Sequence, residues 1–364
     1  MSMTSLRPTS PEGTTAPTTL DIARAAYRSI AAYAPNTAPA AIDLSDNTNL
    51  WGAPPNALRQ IRAAEVSTIT RYPALNVADL KSAIAAYLNV TPEMVVTGCG
   101  SDDVLDCTMR AFGNPSDVLV HPEPSFGMIP LFARVNGLRP IGIPLTETLD
   151  VNVGEMLAAR AKITYLCSPN NPTGNALPRA TIEQIVDEAP GLVIIDEAYA
   201  EFARTNCVDL LRRSPRILIT RTMSKAFGLA GLRVGYGIAD PAVVTEIEKA
   251  RGPYKVNAIA AQAATTALRE DRAWVNERVQ EAISNRDRLI TELATLGLSP
   301  IPSAANFVCV PVSGAAWIDR TMRERGVAVR AFEGLPCVGD ALRIAVGPWP
   351  MLEECLGILR EILA

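Results

Sequence analysis

The sequence predicts an α/β protein, with a large and mostly parallel sheet flanked by helices and a smaller α+β domain at the C-terminal end. Three observations carry this. Between residue 79 and about 255, short apolar runs such as "ITYLC" and "LVIID" alternate with helical stretches. The runs are continuously apolar, which is how strands read when helices cover both faces of their sheet. Beyond residue 255 the texture changes to a long helix pattern, short strands and a closing helix, and 364 residues are many for a single core.

Residues 1–19 are rich in Ser, Thr and Pro and predict a disordered tail without the apolar core of a secretion signal. "DIARAAYRSIAAY" (21–33) spaces its apolar residues helically, and segment 20–44 is expected to form an N-terminal arm that belongs with the smaller domain. "SDNTNLWGAPPNA" (45–57) reads as a loop from its Asn, Gly and Pro content and opens the large domain, expected over 45–254. There "EMVVTGCG" precedes the helical "SDDVLDCTMRAFG", "DVLVHPEP" precedes "MIPLFARVNG", and "ITYLCSP", "LVIIDEAY", "RILITRTMS" and "RVGYGIA" supply further strands. The smaller domain, 255–364, holds a helix pattern near 272–297, the strand "NFVCVPV", a helix near 314–325, the strands "VAVRAF" and "LRIAVGP", and a last helix from about 350.

Composition narrows the function classes. The formal net charge of −4 gives no electrostatic case for nucleic acid or an anionic membrane, and no apolar run reaches the 18 or so residues of a spanning helix. Seven cysteines (99, 107, 167, 207, 309, 337, 355) are odd in number, widely spread and without a CxxC. They argue against a disulfide framework and, with one histidine, against zinc; reduced thiols in the cytoplasm are the simple reading. His121, beside a proline in "VLVHPEPSF", reads as structural, and its being alone weakens any hydrolase that needs a Ser-His or Cys-His pair.

In α/β sheets ligands gather at the carboxyl ends of strands. Four loops begin there: "GCGSDD" (98–103), "SPNNPTG" (168–174), "DEAY" (196–199) and "TMSKAF" (222–227). The first is a Gly-rich turn into a helix, whose free amides favour an anion. A dinucleotide reading of it fails, because no GxGxxG follows the strand. The hydroxyls of "TMSK" and the guanidinium of Arg233 suit a phosphate dianion. Asp196 ends a buried strand and needs a cationic or hydrogen-bonding partner. Lys225 sits in apolar surroundings, where desolvation turns an ammonium into a nucleophilic amine. Pyridoxal 5′-phosphate answers all of these: a phosphate for the cup, an aldehyde for the lysine, a pyridine nitrogen for the carboxylate.

With "SPNNPTG", "DEAY" and "SKAFGLAGLRVGY" in this order and spacing, the chain resembles, from about residue 20 to its end, the class I/II aminotransferases of fold type I, in their histidinol-phosphate aminotransferase-like branch. The resemblance implies the fold of pyridoxal-phosphate-dependent transferases of fold type I and assigns roles. Lys225 bonds the cofactor aldehyde and, once released, moves the Cα proton; Asp196 pairs with the pyridine nitrogen; Tyr199 and Asn171 hydrogen-bond the ring oxygen O3′. Thr222, Ser224 and Arg233, with backbone amides at Ser101 and Asp102 after Gly100, hold the phosphate. Tyr72 in "RYP" matches a tyrosine that reaches the cofactor phosphate of the neighbouring subunit, implying a homodimer. Arg343 in "LRIAVG" matches the arginine that grips a substrate α-carboxylate. Asn306 lies near that carboxylate, and Arg330 in "VAVRAF" matches an arginine that some relatives use for a substrate phosphate.

The chain departs from the family pattern at two places. "PSFGM" puts Phe126 where a tyrosine usually stacks on the pyridine ring; stacking needs only the ring face. "DNTNLWG" replaces the usual "NENPYG", so that Trp51 brings a large flat surface near the substrate entrance, where Tyr33 matches a family aromatic position. The implied activity is transfer of an amino group between a donor, either histidinol phosphate or an aromatic or bulky amino acid, and a 2-oxo acid such as 2-oxoglutarate. A threonine-phosphate decarboxylase-like enzyme shares the same motifs. A non-catalytic ligand-sensing module of the same fold would carry a DNA-binding segment in front, and only about 20 residues stand there.

Overall fold

The structure is a computed structural model and describes residues 22–28, 30, 38–75 and 77–364. The chain divides into two compact units, 1–36 and 37–364. Within the first, a short helix spans Ala25–Arg28 in the segment predicted to be helical; Tyr33 and the expected tail lie outside the described residues.

The second unit contains strands β1 (Ile42–Asp43), β2 (Val95–Cys99), β3 (Val118–Glu123), β4 (Arg139–Pro144), β5 (Ile163–Cys167), β6 (Leu192–Asp196), β7 (Ile217–Thr222), β8 (Val234–Ala239), β9 (Phe307–Pro311), β10 (Val327–Ala328), β11 (Arg330–Leu335) and β12 (Gly339–Ala345). A seven-stranded sheet has the order β2-β8-β7-β6-β5-β3-β4. Only β8 runs against the rest, pairing antiparallel with both β2 and β7. Both faces of this sheet are buried: Ile194 packs into one apolar cluster while its neighbours Val193 and Ile195 pack into another. Successive side chains of a strand point to opposite faces, so continuous apolar runs are what such a sheet requires.

Strand β4, "RPIGIP", was not among the expected strands. It lies at the sheet edge, paired only with β3, where its prolines lose no ladder bond on the open side. Helix Pro55–Arg62 also begins inside the stretch expected to be loop. Proline opens it without loss, since the first amides of a helix lack intrahelical partners. Its other orphan amides are served by the buried Asp271, whose carboxylate accepts from Asn56 N at 3.1 Å and Ala57 N at 2.9 Å.

The C-terminal part follows the expected order. Helix Arg272–Thr295 precedes an antiparallel sheet of order β11-β12-β9, with helices Ala315–Glu324 and Trp349–Leu363. β1 pairs in parallel with β10, so residues 42–43 join this part of the chain rather than the large sheet. Helix Ala258–Glu270 packs against Pro55–Arg62 and Ala78–Leu88. Among the described residues no helix is long and apolar enough to cross a membrane.

Candidate active site

Helix Ser101–Phe112 starts directly after β2, and its first turn has no side-chain cap. The turn is built for close approach. Gly100 has φ +82°, and a Cβ there would run into the Arg233 guanidinium. Gly235 on β8 lies in register with Gly98 on one side and Thr222 on the other; a Cβ on it would overlap the Ser101 amide nitrogen. Free amides of Ser101 and Asp102 therefore sit against β8 and the end of β7, with positive dipole character. Around them, Thr222 Oγ1 donates to Ser224 Oγ at 2.9 Å, and Arg233 Nη1 donates to the same oxygen at 3.3 Å. Arg233 holds φ +52° and pairs with Asp102 at 3.3 Å. That pair is only partly buried, with its two side chains 44% and 42% exposed, so an incoming anion can take the guanidinium at little cost. Burial raises the Asp102 carboxyl above its ordinary range, against the pull of Arg233 and Lys225.

Asp196, Tyr199 and Lys225 come together from the ends of β6 and β7. Asp196 is buried, accepting from Tyr165 Oη at 2.8 Å and Ala198 N at 3.2 Å, and burial pushes its carboxyl up to about 6. Tyr165, on the neighbouring β5, was not singled out in the sequence because its hydroxyl is hidden in an apolar run. Lys225 Nζ donates to Asp46 O at 3.0 Å and lies 5.8 Å from the centre of the Tyr199 ring. Burial, then the charge of Arg343, lowers its amine to about 8. Burial raises the Tyr199 phenol to about 12. Beside them, the buried Glu197–Arg221 pair at 2.8 Å ties β6 to β7 immediately after Asp196 and before Thr222.

Arg343 on β12 reaches into the same cluster. Its Nη1 donates to Asn171 Oδ1 at 2.6 Å and its Nη2 to Ser45 O at 2.7 Å, while Phe307 and Phe332 flank it at 5.5 and 5.6 Å. Burial lowers its basicity. Arg330 is its cross-strand partner in register, and its side chain makes no hydrogen bond or ion pair among the described residues. Asn306 is buried; its Nδ2 donates to Asn47 O at 3.0 Å and its Oδ1 lacks a partner among the described residues. Phe126 is half-buried between the end of β3 and helix Met128–Val135. Trp51 packs on the main core with a buried Nε1 that has no partner among the described residues, and its loop is held to the Lys225 turn by Asn49 Nδ2 donating to Ala226 O at 3.1 Å. Tyr72 is not brought to the cluster of its own chain; it is exposed and stacks on Tyr254 at 4.8 Å.

Sequence reasoning missed Ser45, Asp46 and Asn47, whose backbone or amide groups hold Arg343, Lys225 and Tyr199. Their loop composition was visible, but three of the four contacts to them use main-chain carbonyls, which leave no mark in a sequence. His121, read as structural, is buried on β3 with Nδ1 2.9 Å from Pro122 O.

The family model for aminotransferase class I and II matches residues 39–359. The chain belongs to the class I and II aminotransferases. This aminotransferase is 38% identical over 334 residues to the histidinol-phosphate aminotransferase of Roseiflexus castenholzii, covering 88% of this chain and 89% of the relative. It is 32% identical to the histidinol-phosphate aminotransferase of Thermoanaerobacter pseudethanolicus over 91% of this chain and 95% of that one. Among solved structures it is similar to histidinol-phosphate aminotransferase from Sinorhizobium meliloti in complex with pyridoxal-5′-phosphate, with a TM-score of 0.82 and 27% identity over 89% of this chain and 91% of that chain. Aspartate aminotransferase from Thermus thermophilus with maleate shares the fold, with a TM-score of 0.77 at 21% identity.

The enzyme is thus a pyridoxal-phosphate-dependent aminotransferase of fold type I. Its own donor set fits that cofactor: an amine of lowered basicity, a buried carboxylate that pairs with no cation among the described residues, and an uncapped helix start beside an exposed guanidinium.

Proposed function

We propose that this aminotransferase takes the amino group of histidinol phosphate and passes it to a 2-oxo acid such as 2-oxoglutarate. The observation that carries the reading is the arginine pair on β11 and β12. Arg343 is buried with its fork held by Asn171 and Ser45, the setting for bidentate capture of a carboxylate. Arg330, in register beside it and without an ion pair among the described residues, supplies a second cation for a second anionic group. A 2-oxo diacid and an amino-alcohol phosphate both need one. The names of the relatives point the same way.

Bound at the strand ends, pyridoxal 5′-phosphate supplies an aldehyde that receives the amino group and a ring that draws electrons from the substrate Cα. The chain's residues do the rest. Ser101 and Asp102 amides, Thr222, Ser224 and Arg233 hold the phosphate, and Gly100 leaves room for it. Asp196 keeps the pyridine nitrogen protonated, Tyr199 and Asn171 serve the ring oxygen, and Phe126 covers the ring face. Lys225 would hold the aldehyde, and its amine, lowered to about 8, would be suited to move a proton at the substrate Cα. Asn306 and Trp51 shape the substrate side.

Residues 45–254 serve in this reading as the cofactor-binding domain, and 255–364 with the 20–44 arm as a smaller domain that brings Arg330 and Arg343. Tyr72 completes the phosphate cup of a second copy in a homodimer, and the free thiols suit the cytoplasm. Loss of the cofactor's visible absorbance on adding donors tests the substrate. Histidinol phosphate should discharge it at micromolar concentrations, with phenylalanine and tryptophan far weaker and no carbon dioxide released. Preferential discharge by an aromatic amino acid would move the assignment to a bulky amino acid, and carbon dioxide release to a decarboxylase.

A further inference from the structure

We propose that Ser45–Asp46–Asn47 is a positioning strap for the reactive side chains, and that Asn47 sets the direction in which the Tyr199 hydroxyl donates. This rests on the reading of the site given above. Ser45 and Asp46 each engage one functional residue, and Asn47 engages two. Ser45 O accepts from Arg343 at 2.7 Å, Asp46 O from Lys225 at 3.0 Å, and Asn47 O from Asn306 at 3.0 Å, while Asn47 Nδ2 donates to Tyr199 Oη at 3.2 Å.

The strap is fixed from both ends. On one side β1 pairs with β10, Leu44 N donates to Ala328 O at 2.8 Å, and Ala345 N donates to Leu44 O at 2.9 Å. On the other, Asn49 Nδ2 donates to Ala226 O at 3.1 Å, beside Lys225 itself. Between them the Asp43 carboxylate takes Ser45 N and Oγ, and the Asp46 carboxylate takes Thr48 N and Oγ1. A short segment so anchored keeps its carbonyls where they are, and four side chains, Tyr199 after β6, Lys225 after β7, Asn306 before β9 and Arg343 on β12, are registered against one rigid reference.

Asn47 is the informative member. It is 1% exposed and holds φ +58°, a left-handed conformation that Asn tolerates better than other side chains. Its amide nitrogen faces Tyr199, so the phenol oxygen accepts there and its own proton is free to be donated elsewhere. With the amide absent, nothing holds the phenol as a donor toward the ring oxygen of the cofactor. Asn47 Oδ1 is buried and has no partner among the described residues.

The test is the pH titration of the visible absorbance of the cofactor bound on Lys225, a readout that needs no turnover. A phenol that donates to the ring oxygen stabilises its anionic form, so removing that bond raises the midpoint. Asn47→Gly keeps the positive φ and removes the amide. It is expected to raise the midpoint by about one pH unit, the size of one charge-assisted hydrogen bond. In a Tyr199→Phe background the same change should add nothing, since its effect passes through the phenol. Asn47→Asp, which can only accept from Tyr199, should shift the midpoint at least as far as Asn47→Gly, and it carries the test if the glycine variant does not fold. A wild-type midpoint in these variants, or a shift that adds fully to that of Tyr199→Phe, overturns the strap. Wild-type protein in which borohydride fixes no coenzyme on Lys225 overturns the site reading, and the strap with it.

Discussion

Lys225 is a strong base made weak by where it stands. Burial and the cation of Arg343 favour its neutral amine, and the nearby Asp46 only partly opposes them. In cofactor-free protein its capture by an aldehyde reagent should rise with pH up to about 8 and then level, whereas an ordinary lysine keeps rising toward 10.5. A flat midpoint above 10 in a pH series of labelling rates would contradict this. Lys225→Ala should lower turnover by about 10³-fold or more and leave the protein colourless after incubation with coenzyme. Asp196 shows the opposite perturbation, its carboxyl raised from 3.8 to about 6 by burial. The sign follows from linkage: stability is fullest below about pH 4, where the group is protonated folded and unfolded alike, and declines as pH rises through about 6. The decline amounts to roughly 3 kcal/mol at 1.36 kcal/mol per pH unit. Melting temperatures of cofactor-free wild type and Asp196→Asn should therefore diverge between pH 4 and 7 in favour of the variant, and coenzyme should close the gap. Both residues were legible in the sequence, because a lone lysine or aspartate at the end of an apolar strand asks for a partner. Asn47 was not, because nothing in "DNTNLWG" tells that its amide meets Tyr199.

Among the elements, the contact of β8 with the start of helix Ser101–Phe112 has the least slack. Gly235 is the point of contact, and its missing side chain lets the Ser101 amide lie against the strand. Gly235→Ala forces the strand or the helix start to move. The expected loss is about 1–3 kcal/mol of stability, by overpacking against backbone, together with coenzyme affinity weakened at least about tenfold, both read from one fluorescence titration and a denaturant curve. Helix Pro55–Arg62 depends on a distant group in the same way. Asp271 serves its first amides from the far end of helix Ala258–Glu270, so Asp271→Ala should cost about 1–2 kcal/mol, the usual value of a lost cap. That remote cap explains why the stretch read as loop: its amides are satisfied by a residue that no local pattern includes. The edge strand β4 was hidden for a different reason, since its prolines argue against a strand everywhere except at an edge.

At the scale of the molecule, the most conspicuous surface is apolar. Val66, Ile69, Tyr72 and Leu75 are exposed on helix Val66–Thr70 and the chain after it, and Tyr72 stacks on Tyr254. Such a run suits a partner surface. In the homodimer proposed above it is the interface, and Ile69→Glu should shift the sedimentation equilibrium toward monomer and weaken coenzyme binding in the same concentration range. Full affinity in a monomeric variant would show that Tyr72 has no part in the phosphate cup. By itself the sequence determined most of the order of strands and helices, apart from β4 and helix Pro55–Arg62, and the sheet's double burial, and it pointed to four strand ends as the place of the chemistry, because these depend on periodicity and on residues close together in the chain. Only the tertiary structure decided the reversal of β8, the pairing of Arg330 with Arg343, and the gathering of Arg343, Lys225 and Tyr199 on three consecutive residues of the 45–47 segment. Those relations join groups up to about 300 residues apart, largely through backbone carbonyls, and a carbonyl is the same at every position of the chain until the fold gives it a neighbour.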